Sequence, residues 1–150
     1  MKKHTALVVV DMQPTFVASN DKDTLKAVVR EMEKAIENGW PIIILEYRGN
    51  GPSHQVIYDT VKAYKKHQVC SKSANDGSFE VRKALKDAEW NADTFYVVGV
   101  NSCACVRATI WGLSNASKKV YIIPDACNGP KDYNWKLEFG ADEGNVKIAA

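Results

Sequence analysis

Apolar and polar positions fall into blocks along the chain, and the period changes from block to block. Thr5 to Val10 (TALVVV) is a continuous apolar run that stops at Asp11. A short run rich in β-branched residues predicts a strand buried on both faces. From Asn20 to Asn38, the residues Leu25, Val28, Val29, Met32 and Ile36 recur at helical spacing and predict an amphipathic helix. Asn20 or Asp21 can cap its start, and Gly39 can end it. Pro41 then opens PIIILEY, a second buried strand through Tyr47. Strand, helix and strand in succession make a βαβ unit, which is right-handed in nearly all cases.

Arg48 to Ser53 (RGNGPS) reads as a Gly- and Pro-rich loop. Ser53 is placed to cap a helix running to about Lys66, with Val56, Ile57, Val61 and Tyr64 on one face. Gln68 to Ser71 fits a short strand that leads to Lys72 and the polar loop SANDGS. Glu80 to Trp90 predicts another helix, with Val81, Leu85 and Ala88 inward. Phe95 to Gly99 is the central apolar strand, and Asn101 and Ser102 suit a turn and a helix start. From Cys103 the pattern turns helical through Val106, Ile110 and Leu113. Lys119 to Pro124 is a fifth strand, followed by Asp125. In the last twenty residues Tyr133, Trp135, Leu137 and Phe139 alternate with polar residues, which fits either a short strand or an irregular packed arm. The alternation predicts a three-layer α/β/α sandwich with a mostly parallel, Rossmann-like central sheet. Neither G-x-G-x-x-G after the first strand nor a P-loop motif is present, so the dinucleotide and P-loop readings lose their support.

The 150 residues fit one domain with a sizeable core. A net charge of +2 is too small to suggest nucleic acid or an anionic membrane as a partner. No apolar run approaches the length of a membrane span. Lys2 and Lys3 precede an apolar stretch too short for a signal peptide, so a cytoplasmic location is expected. The cysteines at 70, 103, 105 and 127 lack the spacing of a secreted disulfide framework. Cys103 and Cys105 form C-x-C, which suits neither a zinc knuckle nor a C-x-x-C redox helix, and no metal or other cofactor is expected. His54 and His67 read as surface histidines.

The candidate chemistry sits where strands end. Asp11, Lys72 and Cys105 each follow or close a predicted strand, and the crevice of an open α/β sheet lies at that edge. Asp11 also suits a plain turn before Pro14, and Lys72 alone suits a solvated lysine. Cys105 falls in the first turn of its helix, where the dipole is expected to hold its pKa below the usual value of about 8.5. Taken together, a carboxylate, an ammonium and a thiol can activate a nucleophile.

These residues resemble the motifs of the isochorismatase-like cysteine hydrolases, a family that includes nicotinamidases and N-carbamoylsarcosine amidase. VVVDMQPTF is similar to the family's first motif: an acid ending an apolar strand, a Gln two residues on and a Phe three beyond, here Asp11, Gln13 and Phe16. Lys72 in KSANDGSF is similar to the catalytic lysine element. GVNSCACV resembles the G-x-x-T-x-x-C-V nucleophile motif, with Gly99, Ser102, Cys105 and Val106. The resemblance implies Asp11 as base, Lys72 as electrostatic partner and Cys105 as nucleophile, with Cys103 a bystander. It implies a cis peptide before Asn101, an oxyanion hole at Asn101 and Cys105, and a substrate pocket shaped by Gln13 and Phe16. It also implies hydrolysis of a small amide or carbamoyl-type C–N bond in a homo-oligomer, for which Trp40, Trp111 and Trp135 offer apolar area. The chain departs from the family in three places. It is shorter than most members, which implies reduced lid or C-terminal elements. Cys103 stands where many relatives carry an acid. RGNGPSH lacks the Asp-x-His pair of metal-binding nicotinamidases, which argues against a metal. Two further functions fit the residues: a thiol redox protein using Cys103 and Cys105, and a non-catalytic binding scaffold.

Overall fold

The computed structural model describes residues 4–116, 118–130, 133–139 and 142–149. Lys2, Lys3 and the side chain of Leu137, named above, lie outside the described residues.

Strand β1, Thr5–Val10, is buried at every position. Ala6, Val8 and Val10 point into one apolar cluster and Leu7 and Val9 into the other, so both faces of the strand are covered. Each such valine contributes about 1.5–3 kcal/mol on burial, which is why an unbroken apolar run becomes a central strand. β1 is flanked by β2 (Ile42–Tyr47) and β4 (Thr94–Val100), with β3 (His67–Lys72) beyond β2 and β5 (Lys119–Asn128) beyond β4. Two C-terminal strands, β6 (Asp142–Glu143) and β7 (Val146–Ile148), complete the order β3-β2-β1-β4-β5-β7-β6. All pairings are parallel except β6 with β7. The sheet is therefore six parallel strands with a two-residue antiparallel edge.

Helices α1 (Lys22–Asn38) and α2 (Gln55–Val61) cover one face. α3 (Ser78–Asp87), α4 (Arg107–Asn115) and the short α5 (Trp135–Phe139) cover the other. Asp21, not Asn20, caps α1: its carboxylate accepts the Thr24 N–H at 2.9 Å, and Gly39 closes the helix at φ 72°. No helix among the described residues is long and apolar enough to cross a membrane.

Several boundaries differ from the sequence reading for identifiable reasons. Ser53 does not cap α2: the helix begins at Gln55 with His54 at the N-cap position, and the Ser53 hydroxyl donates to Glu46 Oε2 at 2.7 Å. α2 stops at Val61, and Tyr64 turns back so that its hydroxyl donates to the Trp40 carbonyl at 2.7 Å. β5 runs past Pro124 to Asn128, with a shift of register against β4 between Val97 and Gly99. The tail around residue 137 is a helix, not a strand: Trp135 and Phe139 stack one turn apart at 6.0 Å. Trp40 stacks on Tyr96 and Trp111 on Phe139, so the tryptophans are engaged within the fold.

The order reverses between β1 and β4, and that reversal opens the crevice in which ligands bind in such sheets. Gly99 is essential to the closeness of this pair. A Cβ there would meet the Val10 carbonyl oxygen at 2.2 Å, and its φ is 121°. The ends of β1 and β4 thus approach as only glycine permits.

Candidate active site

Three segments distant along the chain deliver side chains to this switch point. Asp11 follows β1 directly, with its backbone at φ 49° in the left-handed region. Its N–H bonds the Leu45 carbonyl at 3.1 Å, and its carbonyl accepts the Gln13 N–H at 2.7 Å. A non-glycine residue held there costs about 1–3 kcal/mol, so the surrounding bonds fix Asp11 in a turn that departs sharply from the strand. The turn reading and the crevice reading of Asp11 are both realised. Lys72 closes β3 and is buried, not solvated. Cys105 follows β4 in a π-helical turn, Ser102–Val106, which precedes α4.

Lys72 Nζ is the hub. It lies 3.1 Å from Asp11 Oδ2, donates to Cys105 Sγ at 3.3 Å and to the Ala74 carbonyl at 3.0 Å, and sits 4.2 Å from the centre of the Tyr47 ring. Asp11 and Lys72 are both 1% exposed and Cys105 is 7% exposed. The surroundings of the sulfur are polar: Asn75 Oδ1 lies 3.6 Å away, beside the ammonium and the carboxylate. Neither oxygen of Asp11 accepts a well-formed hydrogen bond from the described residues, although the Lys72 ammonium and the Cys105 thiol both face it. Burial raises the Asp11 carboxyl above its usual 3.8, against the pull of Cys105 and Lys72.

The expected low pKa of Cys105 is not found. Burial first, and the neighbouring Asp11 carboxylate second, push the thiol up to about 12. The helix-start argument fails because desolvation of a thiolate, with the Asp11 carboxylate beside it, outweighs the Lys72 ammonium. At rest the sulfur therefore carries its proton, and the adjacent carboxylate is the base available to take it.

The Val100–Asn101 peptide is cis. The Asn101 carbonyl accepts the N–H groups of Ala104 and Val106 at 3.1 and 3.2 Å, which anchors the turn carrying Cys105. Gln13 is fully buried, and its amide is committed to the loop after β2. Its Oε1 accepts the Tyr47 N–H at 2.8 Å, and its Nε2 donates to the carbonyls of Tyr47 and Gly51 at 3.0 and 2.8 Å. Gln13 thus latches that loop. Phe16 is half-buried and meets the Tyr47 ring edge-on at 6.4 Å.

Tyr47 and Asn75 are site residues that the sequence reading missed. Asn75 lay in the polar SANDGS loop, and Tyr47 was read only as the end of a strand. The signal for Tyr47 was its place at the C-terminal end of β2, the same edge that nominated Asp11 and Lys72. Cys103 is exposed while Cys105 is buried, and all four cysteines are free. No group of three His, Cys, Asp or Glu among the described residues could hold a metal ion. A cavity of about 840 Å³ lies along α1 and is lined by Leu25, Val29 and Val56 among charged residues; Asp11, Lys72 and Cys105 do not line it.

Comparison with known proteins places this geometry in context. No curated protein sequence matches the chain significantly. Among solved structures, a nicotinamidase from Staphylococcus aureus superimposes with a TM-score of 0.82 at 19% identity, covering 99% of this chain and 100% of that one. N-carbamoylsarcosine amidase from Thermoplasma acidophilum gives 0.72 at 20% identity, covering 98% and 95%. A ribonuclease from Caenorhabditis elegans gives 0.74 at 18%, covering 85% and 66%. Identities this low establish the fold, and the differing activities of those three proteins mean that the fold alone does not fix the reaction. A profile of the isochorismatase domain matches residues 5–146, nearly the whole chain. By that match, the chain belongs to the isochorismatase domain family.

Proposed function

We propose that the protein hydrolyses the C–N bond of a small amide or carbamoyl-type substrate through a thioester on Cys105. The observation that carries this reading is the convergence on Lys72 Nζ of a carboxylate at 3.1 Å and a thiol at 3.3 Å, all three groups buried. Asp11 takes the thiol proton as the sulfur attacks the carbonyl carbon, so charge never rests on an isolated thiolate. The carbonyl oxygen becomes an oxyanion, and backbone N–H groups at Asn101 and Cys105 are the donors proposed to hold it. One such donor is worth about 3–4 kcal/mol in other enzymes. The C–N bond then breaks, and Asp11 returns the proton to the departing amine. Water attacks the thioester, Asp11 accepts its proton, and the acid product leaves as the thiol is restored. Lys72 gives up no proton in these steps, and its ammonium offsets the negative charge that passes between Asp11 and the reacting atoms. The 7% exposure of Cys105 favours small substrates.

The test is a panel of small amides and ureido compounds assayed for released ammonia. Cys105→Ala and Asp11→Asn are expected to abolish release, while Cys103→Ala retains it. If Cys103→Ala removes ammonia release as completely as Cys105→Ala, Cys103 is no bystander and the Asp11–Lys72–Cys105 mechanism fails.

A further inference from the structure

Tyr47 has no role in the chemistry set out above, yet it is the only aromatic ring described against the buried ammonium. It is the cross-strand partner of Lys72 in the β2–β3 register, and the next residue, Arg48, donates its N–H to the Lys72 carbonyl at 2.8 Å. Its own N–H and C=O are both held by the Gln13 amide. Its hydroxyl reaches the Ser73 carbonyl at 3.4 Å, and Phe16 braces the ring edge-on. Few side chains have so many constraints on where the ring can lie.

The reason for the constraint is visible at Lys72 Nζ. An ammonium has three N–H groups, and three acceptors surround it: Asp11 Oδ2, Cys105 Sγ and the Ala74 carbonyl oxygen. The Tyr47 face covers the ammonium at 4.2 Å. The face of an aromatic ring is negative, so it stabilises the cation without offering a competing lone pair. Water in that position would accept an N–H bond and draw the ammonium away from the sulfur. We infer that Tyr47 is a positioning residue: its ring keeps Lys72 dry and aimed at Asp11 and Cys105, and so sets the reactivity of the thiol. This rests on the Asp11–Lys72–Cys105 reading and adds to it a residue acting through Lys72.

The test reads Cys105 directly and needs no substrate. Alkylation of Cys105 by iodoacetamide is followed by peptide mass in the wild type, Tyr47→Phe, Tyr47→Leu, Lys72→Met and the Tyr47→Leu/Lys72→Met double variant. Tyr47→Leu is expected to slow alkylation about tenfold, the scale of a desolvated cation–π contact. Tyr47→Phe keeps the ring and is expected to stay within about twofold of wild type. In the Lys72→Met background, Tyr47→Leu is expected to have no further effect, because the group it acts through is gone. Should Tyr47→Leu not fold, phenylalanines of rising fluorine content at position 47 keep the shape while reversing the ring's polarity. The rate is then expected to fall stepwise with fluorination. A flat fluorine series, or an equal Tyr47→Leu effect with and without Lys72, overturns the role of Tyr47 alone. A wild-type rate in Lys72→Met overturns both that role and the triad beneath it.

Discussion

Replacing Lys72 with Met separates charge from packing at the centre of the site. Methionine is close in length to the lysine stem, and that stem is packed: a Cβ added at Gly77 would come within 3.0 Å of Lys72 Cδ. Most of the lost free energy is therefore electrostatic. The ammonium is completely buried and is the only ion-pair partner described for Asp11, which is 1% exposed and whose carboxylate accepts no well-formed hydrogen bond among the described residues. Breaking such a buried pair by removing one partner costs about 3–5 kcal/mol. With a urea slope of about 2 kcal/mol per M, the unfolding midpoint falls by roughly 2 M. The deficit carries a signature in pH. Asp11 already titrates above 3.8 because of burial, and Lys72 is one of the groups holding it down. Without the ammonium its folded pKa rises further. A carboxyl whose folded pKa lies above its unfolded one contributes stability that is present at low pH and lost as pH rises through the folded value. The deficit of Lys72→Met is therefore full near neutrality and shrinks as pH falls toward the unfolded value of 3.8. Urea melts of wild type and variant at about pH 7.5 and about pH 5 measure it, and in an Asp11→Asn background the pH dependence of the deficit should vanish. A deficit equal at both pH values, or none at all, would refute a buried Asp11 that relies on Lys72.

Activity, once a substrate is found, should fall on acidification with an apparent pKa above 3.8, because protonated Asp11 cannot accept the thiol proton; a rate flat through that region would remove Asp11 as base. Gly77→Ala brings a Cβ to 2.5 Å from Leu45 Cδ1 and 3.0 Å from Lys72 Cδ, so it should cost about 1–3 kcal/mol in a denaturant melt and slow Cys105 alkylation as Lys72 shifts. Gln13→Ala strands the Tyr47 N–H and takes one of two donors, the other being the Asn50 N–H, from the Tyr47 carbonyl and the Gln13 amide from that of Gly51, and should lower stability by about 2 kcal/mol, read as a drop in Tm.

Much of this architecture was legible in the order of residues, because central strands of a parallel sheet need apolar side chains on both faces. β1 shows this with no exposed position, and α1 with an inward face of Val28, Met32 and Ala35. That Asp11, Lys72 and Cys105 meet was legible for a related reason: each closes or follows a parallel strand, and parallel strands carry their ends to one edge. What stayed hidden depended on competition between partners. Ser53 has the chemistry of a cap, but α2 begins at Gln55 with His54 at the N-cap position, and the Ser53 hydroxyl donates to Glu46. Gln13 was read as a pocket wall, and only the fold shows that Tyr47 and Gly51 occupy its amide. The pKa of Cys105 was misjudged because a sequence displays the helix start and conceals the depth of burial.

The central claim is that a protonated sulfur at Cys105 depends on Asp11 to become a nucleophile. Site-resolved alkylation of Cys105 and of exposed Cys103, in wild type and Asp11→Asn, addresses it most directly. The account predicts about a hundredfold slower reaction at Cys105 in the variant, the scale of a lost general base, with Cys103 unchanged. Equal rates at Cys105 with and without the carboxylate would contradict it.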